Sequence, residues 1–260
     1  MFILNNDLWL APDCVELALR AADESPDAQL LSVRVVDYDD DTFQGFGSEG
    51  FDWFGMGTCT RDHSAPRELF CGYGCAFVIR KDCFFKVGAY PPELLIYGDE
   101  MDLGWRVWAS GGRILSAPAA CVHHRGAAGV NPAGGTRPVE LRTTEMKRYL
   151  SVRNGLLLLL KNCQHLLLLL LLPHLLLLGS EALCFLVLTR DWKFVRNSYI
   201  KGITDAFRML PHVRAWRKKI KGFRQHGDFW MLRFLHLVPG RLSDLKLMLR
   251  LGAPKVDVKK

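Results

Sequence analysis

Three carboxylates lie within four residues of one another, at Asp99, Glu100 and Asp102, at the start of a segment whose pattern predicts a helix that ends before a Gly-Gly pair. Asp99 is placed to cap this helix with Asp102 completing a capping-box-like pair, and Arg106 lies one turn further on, where it can pair with Asp102. Glu100 has no such partner, and it lies beside a helix N-terminus whose dipole keeps a carboxylate ionised. It can therefore act as a general base, although a capped surface helix is the simpler interpretation of these residues taken alone.

Two further polar sites follow apolar segments that are typical of strands. Asn5-Asn6-Asp7 comes directly after the apolar residues 2–4, and His123-His124 ends a strand predicted over 113–117 and 121–124. Ligands of open α/β sheets lie at the carboxyl ends of strands. A carboxylate from the first site and an imidazole from the second could hold Mg²⁺ or Mn²⁺, which binds phosphates through one or two protein ligands. Each motif alone is also compatible with an ordinary turn or strand end.

Strands alternate with helices over the first 148 residues, which predicts an α/β sheet that is covered on both faces. The Gly-rich and aromatic stretch 45–67 has no clean periodicity and predicts a loop over a site. The strand at 2–4 is as apolar as a strand in the interior of a sheet. We therefore expect it to have neighbours on both sides, unless the chain lacks the beginning of its domain.

Charge and leucine content divide the chain. Residues 1–150 carry a net charge of −7 and residues 151–260 a net charge of +14. The second part has leucine runs at 156–160 and 166–172, which Pro173, His174 and Glu181 interrupt or follow. These features favour two helices that are hinged near Pro173 and lie on a membrane surface, over a membrane span or a helical hairpin packed on the body. Lipid headgroups are a better partner for the basic charge than nucleic acid, because leucine runs adjoin it.

The eight cysteines contain no CxxC pair and no spacing typical of a zinc site. Scattered thiols indicate a reducing compartment. The N-terminus does not have the pattern of a signal peptide, because polar residues interrupt its apolar run. We therefore expect a cytoplasmic protein that is peripheral on the inner face of the cell membrane.

Taken in order, these motifs resemble a family 2 glycosyltransferase with the GT-A fold, especially the rhamnosyltransferase-like branch. Asn5-Asn6-Asp7 is similar to the Asn-x-Asp form of the family's Asp-x-Asp motif. Asp99 through Arg106 is similar to its Glu-Asp-x-Asp-Leu-x-x-Arg motif, with the first two residues exchanged. The other similar segments are the Gly-rich strand around Gly74, the spacing from Pro118 to His124, and the pair Arg153-Asn154.

The resemblance implies an inverting transfer of a sugar from a dTDP- or UDP-sugar to a saccharide or polyprenyl-linked acceptor in cell-envelope polysaccharide synthesis. Asn5 and Asp7 would bind the donor with its divalent metal, and His124 would be a second metal ligand. Glu100 would be the base, with Asp99 as the other candidate. Three more site residues are implied, namely Asp102, Arg106 and Gly74.

The resemblance further implies a partial GT-A fold. Residues 1–148 would be the acceptor-binding and metal-binding part of a catalytic domain, and residues 149–260 a leucine-rich, then basic, helical region associated with the membrane. The family's N-terminal strands, which hold the nucleotide, have no counterpart in this sequence. The alternative is therefore a non-catalytic module that binds a membrane surface, or an inactive fragment of such an enzyme.

Overall fold

The structure is a computed structural model of the chain, and it describes residues 1–125, 142–238, 250–252 and 255–256. The strands are β1 (Phe2–Leu4), β2 (Leu8–Leu10), β3 (Ala28–Asp37), β4 (Phe43–Gly45), β5 (Gly47–Phe51), β6 (Gly57–Cys59), β7 (Cys71–Gly72), β8 (Ala76–Ile79), β9 (Arg113–His124), β10 (Arg142–Thr143) and β11 (Lys255–Val256). The helices are α1 (Cys14–Glu24), α2 (Lys81–Lys86), α3 (Asp99–Ala109), α4 (Glu145–Asn162), α5 (Leu171–Thr189), α6 (Trp192–Val195), α7 (Lys201–Arg208), α8 (Leu210–Phe223) and α9 (Asp228–Met231).

The main sheet has the strand order β1-β8-β3-β9-β2, and β4 pairs with the end of β3. The central strands β3 and β9 run parallel, whereas the other pairs are antiparallel. Alternate residues of β3 enter different cores. Leu30 packs with α3, and Leu31 and Val33 pack with Ala18 of α1. A mixed sheet covered on both faces confirms the predicted α/β fold.

Two segments do not have the expected structure, namely residues 2–4 with neighbours on both sides and residues 45–67 as a loop. β1 lies at the edge of the sheet, and β8 is its partner among the described strands, so its apolar residues do not have a strand on each side. Leu4 is 40% exposed as a result. The stretch 45–67 is not a plain loop, because β5 and β6 lie within it and form a second sheet with β7. Glycines and short strands hide this pairing from a periodicity analysis.

Helix α3 lies at the centre of the larger core and not at the surface. The residues Met101–Ala109 are buried throughout, and Trp105 stacks on Phe51 with 4.8 Å between ring centroids. The burial of such a side chain contributes roughly 1.5–3 kcal/mol. The predicted cap by Asp99 is wrong, because the helix begins at Asp99 and Gly98 occupies the N-cap with a φ of 80° and no side-chain cap bond. The capping-box partnership of Asp102 is wrong for the same reason.

Gly104 allows α3 to lie against the backbone of β7. An added Cβ would lie 2.5 Å from the carbonyl oxygen of Phe70 and 2.6 Å from Cβ of Cys71. Gly104→Ala is therefore expected to lower the free energy of unfolding by about 1–3 kcal/mol, measured by urea denaturation. Gly222→Ala in α8 is the control, because its Cβ would meet nothing within 4 Å. Equal stability of the two variants would contradict this close approach.

The leucine-rich region forms the long helices α4 and α5, joined through a 3₁₀ turn at Leu167–Leu170. The predicted hinge near Pro173 is wrong, because Pro173 lies in the first turn of α5, where its missing N–H costs nothing. The helical structure is interrupted instead at residues 163–166, between α4 and the 3₁₀ turn. The Asp228 carboxylate holds this break by accepting the backbone N–H groups of Gln164, His165 and Leu167 at 2.9–3.1 Å.

Among the described helices, one continuous helical segment, Leu167–Thr189, is long and apolar enough to cross a membrane by length and composition, with a mean hydropathy of 2.0. Helix α4 packs against this segment on one side and against α3 on another. It begins at Glu145, so the predicted division of the chain between residues 148 and 149 falls inside this helix.

Candidate active site

The predicted metal ligands Asp7 and His124 meet at the end of the main sheet. β2 begins one residue after Asp7 and pairs Leu8 with His124, the last residue of β9. This antiparallel register places Nε2 of His124 3.6 Å from Oδ2 of Asp7. Asn5 lies in the exposed turn before Asp7, and its backbone N–H donates to the carbonyl oxygen of Cys75 at 2.9 Å.

The ring of His124 is oriented by a contact with Gln44. Its Nδ1 lies 3.0 Å from Oε1 of Gln44, and the Gln44 amide donates to Oδ2 of Asp37 at 3.2 Å and to the carbonyl oxygen of His124 at 3.0 Å. The Gln44 amide oxygen faces Nδ1, so a neutral His124 that carries its proton on Nδ1 turns the lone pair of Nε2 towards Asp7. Burial lowers the pKa of His124 against the opposing influence of Asp7 and Asp37, so the neutral, ligating form is favoured.

One carboxylate and one imidazole suit Mn²⁺ better than Mg²⁺, which prefers oxygen ligands alone. The nearby Cys75 does not offer a thiolate, because burial, reinforced by the charge of Asp7, raises the pKa of its thiol to about 12. In the part of the chain that the structure describes, no group of three His, Cys, Asp or Glu side chains could hold a metal ion. The remaining coordination positions would therefore fall to substrate and water oxygens.

Glu100 is half-buried in the first turn of α3, beside Asp99. Burial raises the pKa of Glu100 to about 7, and the charge of Asp99 and a hydrogen bond between the two side chains act in the same direction. A carboxyl group with this pKa is poised to accept a proton near neutral pH. The dipole argument from the sequence pointed to a fully ionised group, and burial outweighs it here.

The segment 73–75 touches all three predicted polar sites. Tyr73 lies edge-on to the His124 ring with 6.1 Å between ring centroids. A Cβ added at Gly74 would lie 3.6 Å from Cβ and Oε2 of Glu100. The carbonyl oxygen of Cys75 accepts the backbone N–H of Asn5. The structure thus brings together the candidate metal ligands Asp7 and His124, Gly74 and the candidate base Glu100 around one turn between β7 and β8.

The loop that leads into Glu100 is held by a residue whose role the sequence did not reveal. Asn154 of α4 is buried, and its side-chain amide donates to the carbonyl oxygens of Leu94, Ile96 and Tyr97 at 2.7–3.0 Å. Leu95 and Tyr97 adopt left-handed φ angles of 60° and 72°. Such conformations cost on the order of 1–2 kcal/mol per residue and persist only where surrounding contacts fix them. Asn154 supplies those contacts, so it positions Glu100.

Asp102 and Arg106, which the resemblance placed in the site, lie fully buried behind it. Their predicted ion pair is confirmed, with 2.7 Å between Oδ2 of Asp102 and the Arg106 guanidinium. The other carboxylate oxygen lies 2.7 Å from both Nζ of Lys161 and the side-chain nitrogen of Asn162. This cluster joins α3 to α4, and the role that the contacts support is structural.

No protein-family model matches the chain. Polypeptide N-acetylgalactosaminyltransferase 9 of Homo sapiens is 36% identical over 74 residues, which are 28% of this chain and 12% of that protein. N-acetylgalactosaminyltransferase 7 of Mus musculus is 40% identical over 52 residues, 20% of this chain and 8% of that protein. Probable N-acetylgalactosaminyltransferase 6 of Caenorhabditis elegans is 32% identical over 80 residues, 28% of this chain and 13% of that protein. The matched segments thus span about an eighth or less of these relatives.

Among solved structures, the crystal structure of GalNAc-T7 with UDP, GalNAc and Mn²⁺ superposes with a TM-score of 0.49 and 12% sequence identity. The superposition covers 99% of this chain and 42% of that chain.

Proposed function

We propose that this chain is the metal-binding and acceptor-side part of a glycosyltransferase of the GT-A type, which moves a sugar from a nucleotide-sugar donor to an acceptor hydroxyl with inversion. The observation that carries the proposal is the convergence of the Asp7–His124 pair and Glu100 on the segment 73–75. The short matches to N-acetylgalactosaminyltransferases support the transfer of a sugar, and inversion rests on the proposed role of Glu100.

Asp7 and His124 would hold a divalent cation, which supplies positive charge opposite the diphosphate of the donor. Glu100 accepts the proton of the acceptor hydroxyl as the oxygen attacks the anomeric carbon from the face opposite the leaving group. Asn154 keeps the carboxylate aimed by fixing the loop before it. Burial, with a contribution from the charge of Asp99, raises the pKa of Glu100 to about 7, so the carboxylate can accept a proton near neutral pH.

A UDP-linked N-acetylhexosamine is the first donor to test, since the names of the sequence relatives contain that sugar. The acceptor has two candidates. The resemblance to family 2 favours a saccharide or polyprenyl-linked acceptor in the cell envelope, and the name of one relative contains a polypeptide. A cavity of about 700 Å³ lies beside the loop that Asn154 holds before α3, and its lining includes Tyr97, Lys147 and Lys193. This cavity would receive either acceptor.

Calorimetric titration of the 260-residue chain with UDP-N-acetylgalactosamine tests the metal pair. We expect binding that requires Mn²⁺ and that His124→Gln or Asp7→Asn weakens about tenfold or more, because each removes a ligand. His123→Gln is the matched control. The neighbouring imidazole contacts Asp41 at 2.9 Å and Trp9, and not Asp7. Absence of Mn²⁺-dependent binding, or equal losses in the two histidine variants, would contradict the proposal.

A further inference from the structure

Helix α5 and the 3₁₀ turn before it present a largely apolar face to solvent. Six large apolar residues, which are 59–68% exposed, form this outer leucine stripe: Leu169, Leu172, Leu176, Leu183, Val187 and Leu188. From Leu169 to Val187 the steps are three, four, seven and four residues, which places these five along one side of the helix, and Leu188 widens the face at its C-terminal end. Ser180 lies in the same row, but its hydroxyl donates back to the carbonyl of Leu177 at 2.8 Å, so it needs no water.

His174 and Glu181 of α5 turn inward. His174 is 2% exposed, with Nδ1 against the carbonyl oxygen of Phe54, and Glu181 pairs with Arg148 of α4 at 3.2 Å. Leu178 and Phe185 fill the same inner face. Two of the residues that argued against a membrane helix in the sequence, His174 and Glu181, are therefore removed from the outer surface. Large contiguous apolar faces on a protein surface mark interaction sites.

A basic and aromatic collar follows the stripe at its C-terminal end. Trp192 is 53% exposed, and Arg190, Lys193 and Arg196 are exposed beside it. Trp and cations next to an apolar helical face are typical of the interface between hydrocarbon and lipid headgroups. Residues 151–260 carry a net charge of +14, which favours an anionic surface over a second copy with the same positive charge.

We propose that α5 docks in the plane of a membrane that contains anionic lipid, with the outer leucine stripe in the acyl boundary and the collar at the headgroups. The helix does not span the membrane. Its inner face packs on α4, and α4 is tied to α3 by the buried charges of Asp102 and Lys161. A transmembrane α5 would have to draw these charges into hydrocarbon or expose its own inner face, and both are costly.

Vesicle flotation with the full chain tests this docking. We expect the wild type to float with vesicles of phosphatidylglycerol and phosphatidylcholine and to be released by alkaline carbonate, as an in-plane protein is. Leu176→Glu and Val187→Glu are each expected to lower the bound fraction at least tenfold. Leu19→Glu, a matched change at an apolar residue of α1 that is 57% exposed, should leave binding unchanged. Lys193→Glu should weaken binding to anionic vesicles only.

Thermal unfolding of each variant shows whether the fold is retained. If one of the two stripe variants does not fold, the other still tests the docking. Three results would overturn the proposal. One is a wild type that does not float, and another is flotation that neither stripe variant reduces. The third is a lipid-free dimer that either stripe variant converts to a monomer, because the stripe would then belong to a second copy. None of these measurements depends on donor binding, so they test the surface separately from the proposed sugar transfer.

Discussion

Glu100→Gln is expected to lower the rate of sugar transfer by about 10²–10⁴-fold, because it removes the group that accepts the proton of the acceptor. Mn²⁺-dependent donor binding should remain, since Asp7 and His124 are untouched. In the wild type the rate should rise with pH and level off above about pH 7, where the Glu100 carboxyl is ionised. Steady-state kinetics over pH 5–9 with the donor and acceptor that prove active would measure both effects.

Asp99→Asn separates the two candidate bases. It removes the negative charge that helps to raise the pKa of Glu100, so the midpoint of the pH profile should move below 7 while the plateau rate is largely kept. If Asp99 were the base, its substitution would abolish transfer and Glu100→Gln would not. That outcome would reassign the role.

The same group links activity to stability. The pKa of Glu100 is raised from 4.5 to about 7 in the folded chain, so the folded state binds its proton more tightly than the unfolded state between these values. The stability that this proton contributes is present below pH 4.5 and is lost as the pH rises through 7. Gln at position 100 does not ionise, so the Glu100→Gln variant does not lose stability in this way. Urea denaturation at pH 8 should find it more stable than the wild type by at most about 3 kcal/mol. At pH 4 the two should be alike.

Asp102→Asn is expected to lower the free energy of unfolding by about 3–5 kcal/mol, because it leaves Arg106 and Lys161 as buried cations without their carboxylate. Burial opposes ionisation of Asp102, but the charges of Arg106 and Lys161 outweigh it and hold its pKa below the ordinary value. The stabilisation is therefore present above about pH 4 and is lost as the carboxyl is protonated at lower pH.

Two further variants calibrate this loss. Adding Lys161→Met to Asp102→Asn removes one of the two orphaned cations and should recover part of the stability in a double-mutant cycle. Arg20→Ala breaks the exposed pair with Glu16, whose side chains are 59% and 73% exposed, and should cost little. An Asp102→Asn variant as stable as Arg20→Ala would contradict the structural role of the buried cluster.

The sequence predicted those features that depend on local spacing or on the ends of strands. The pairing of Asp102 with Arg106 follows from one helical turn, and the meeting of Asp7 with His124 follows from the rule that polar strand ends share one edge of a sheet. The alternation of strands and helices was enough to predict the α/β class.

Features that depend on long-range packing could not be predicted. Nothing near Asp102 in the sequence points to Lys161 and Asn162, about 60 residues away, so its second set of partners is visible only in the folded chain. The polar first turn of α3 indicated a surface helix, and the burial of the helix depends on aromatic residues of β5 and of the segment before β7. Gln44 has no motif, although its amide determines which nitrogen of His124 faces Asp7.

The hold of Asn154 on the loop before α3 has a consequence for the modularity of the chain. Asn154 and Lys161 both lie on α4, beyond residue 148, where the first predicted part ends. A protein that stopped at residue 148 would keep the metal pair and Glu100 but would lose the amide that aims the carboxylate and the ammonium that neutralises Asp102. Helix α4 thus supports the candidate site from behind. Replacement of this helix by another, as in a chimaera, would have to transplant both side chains with it.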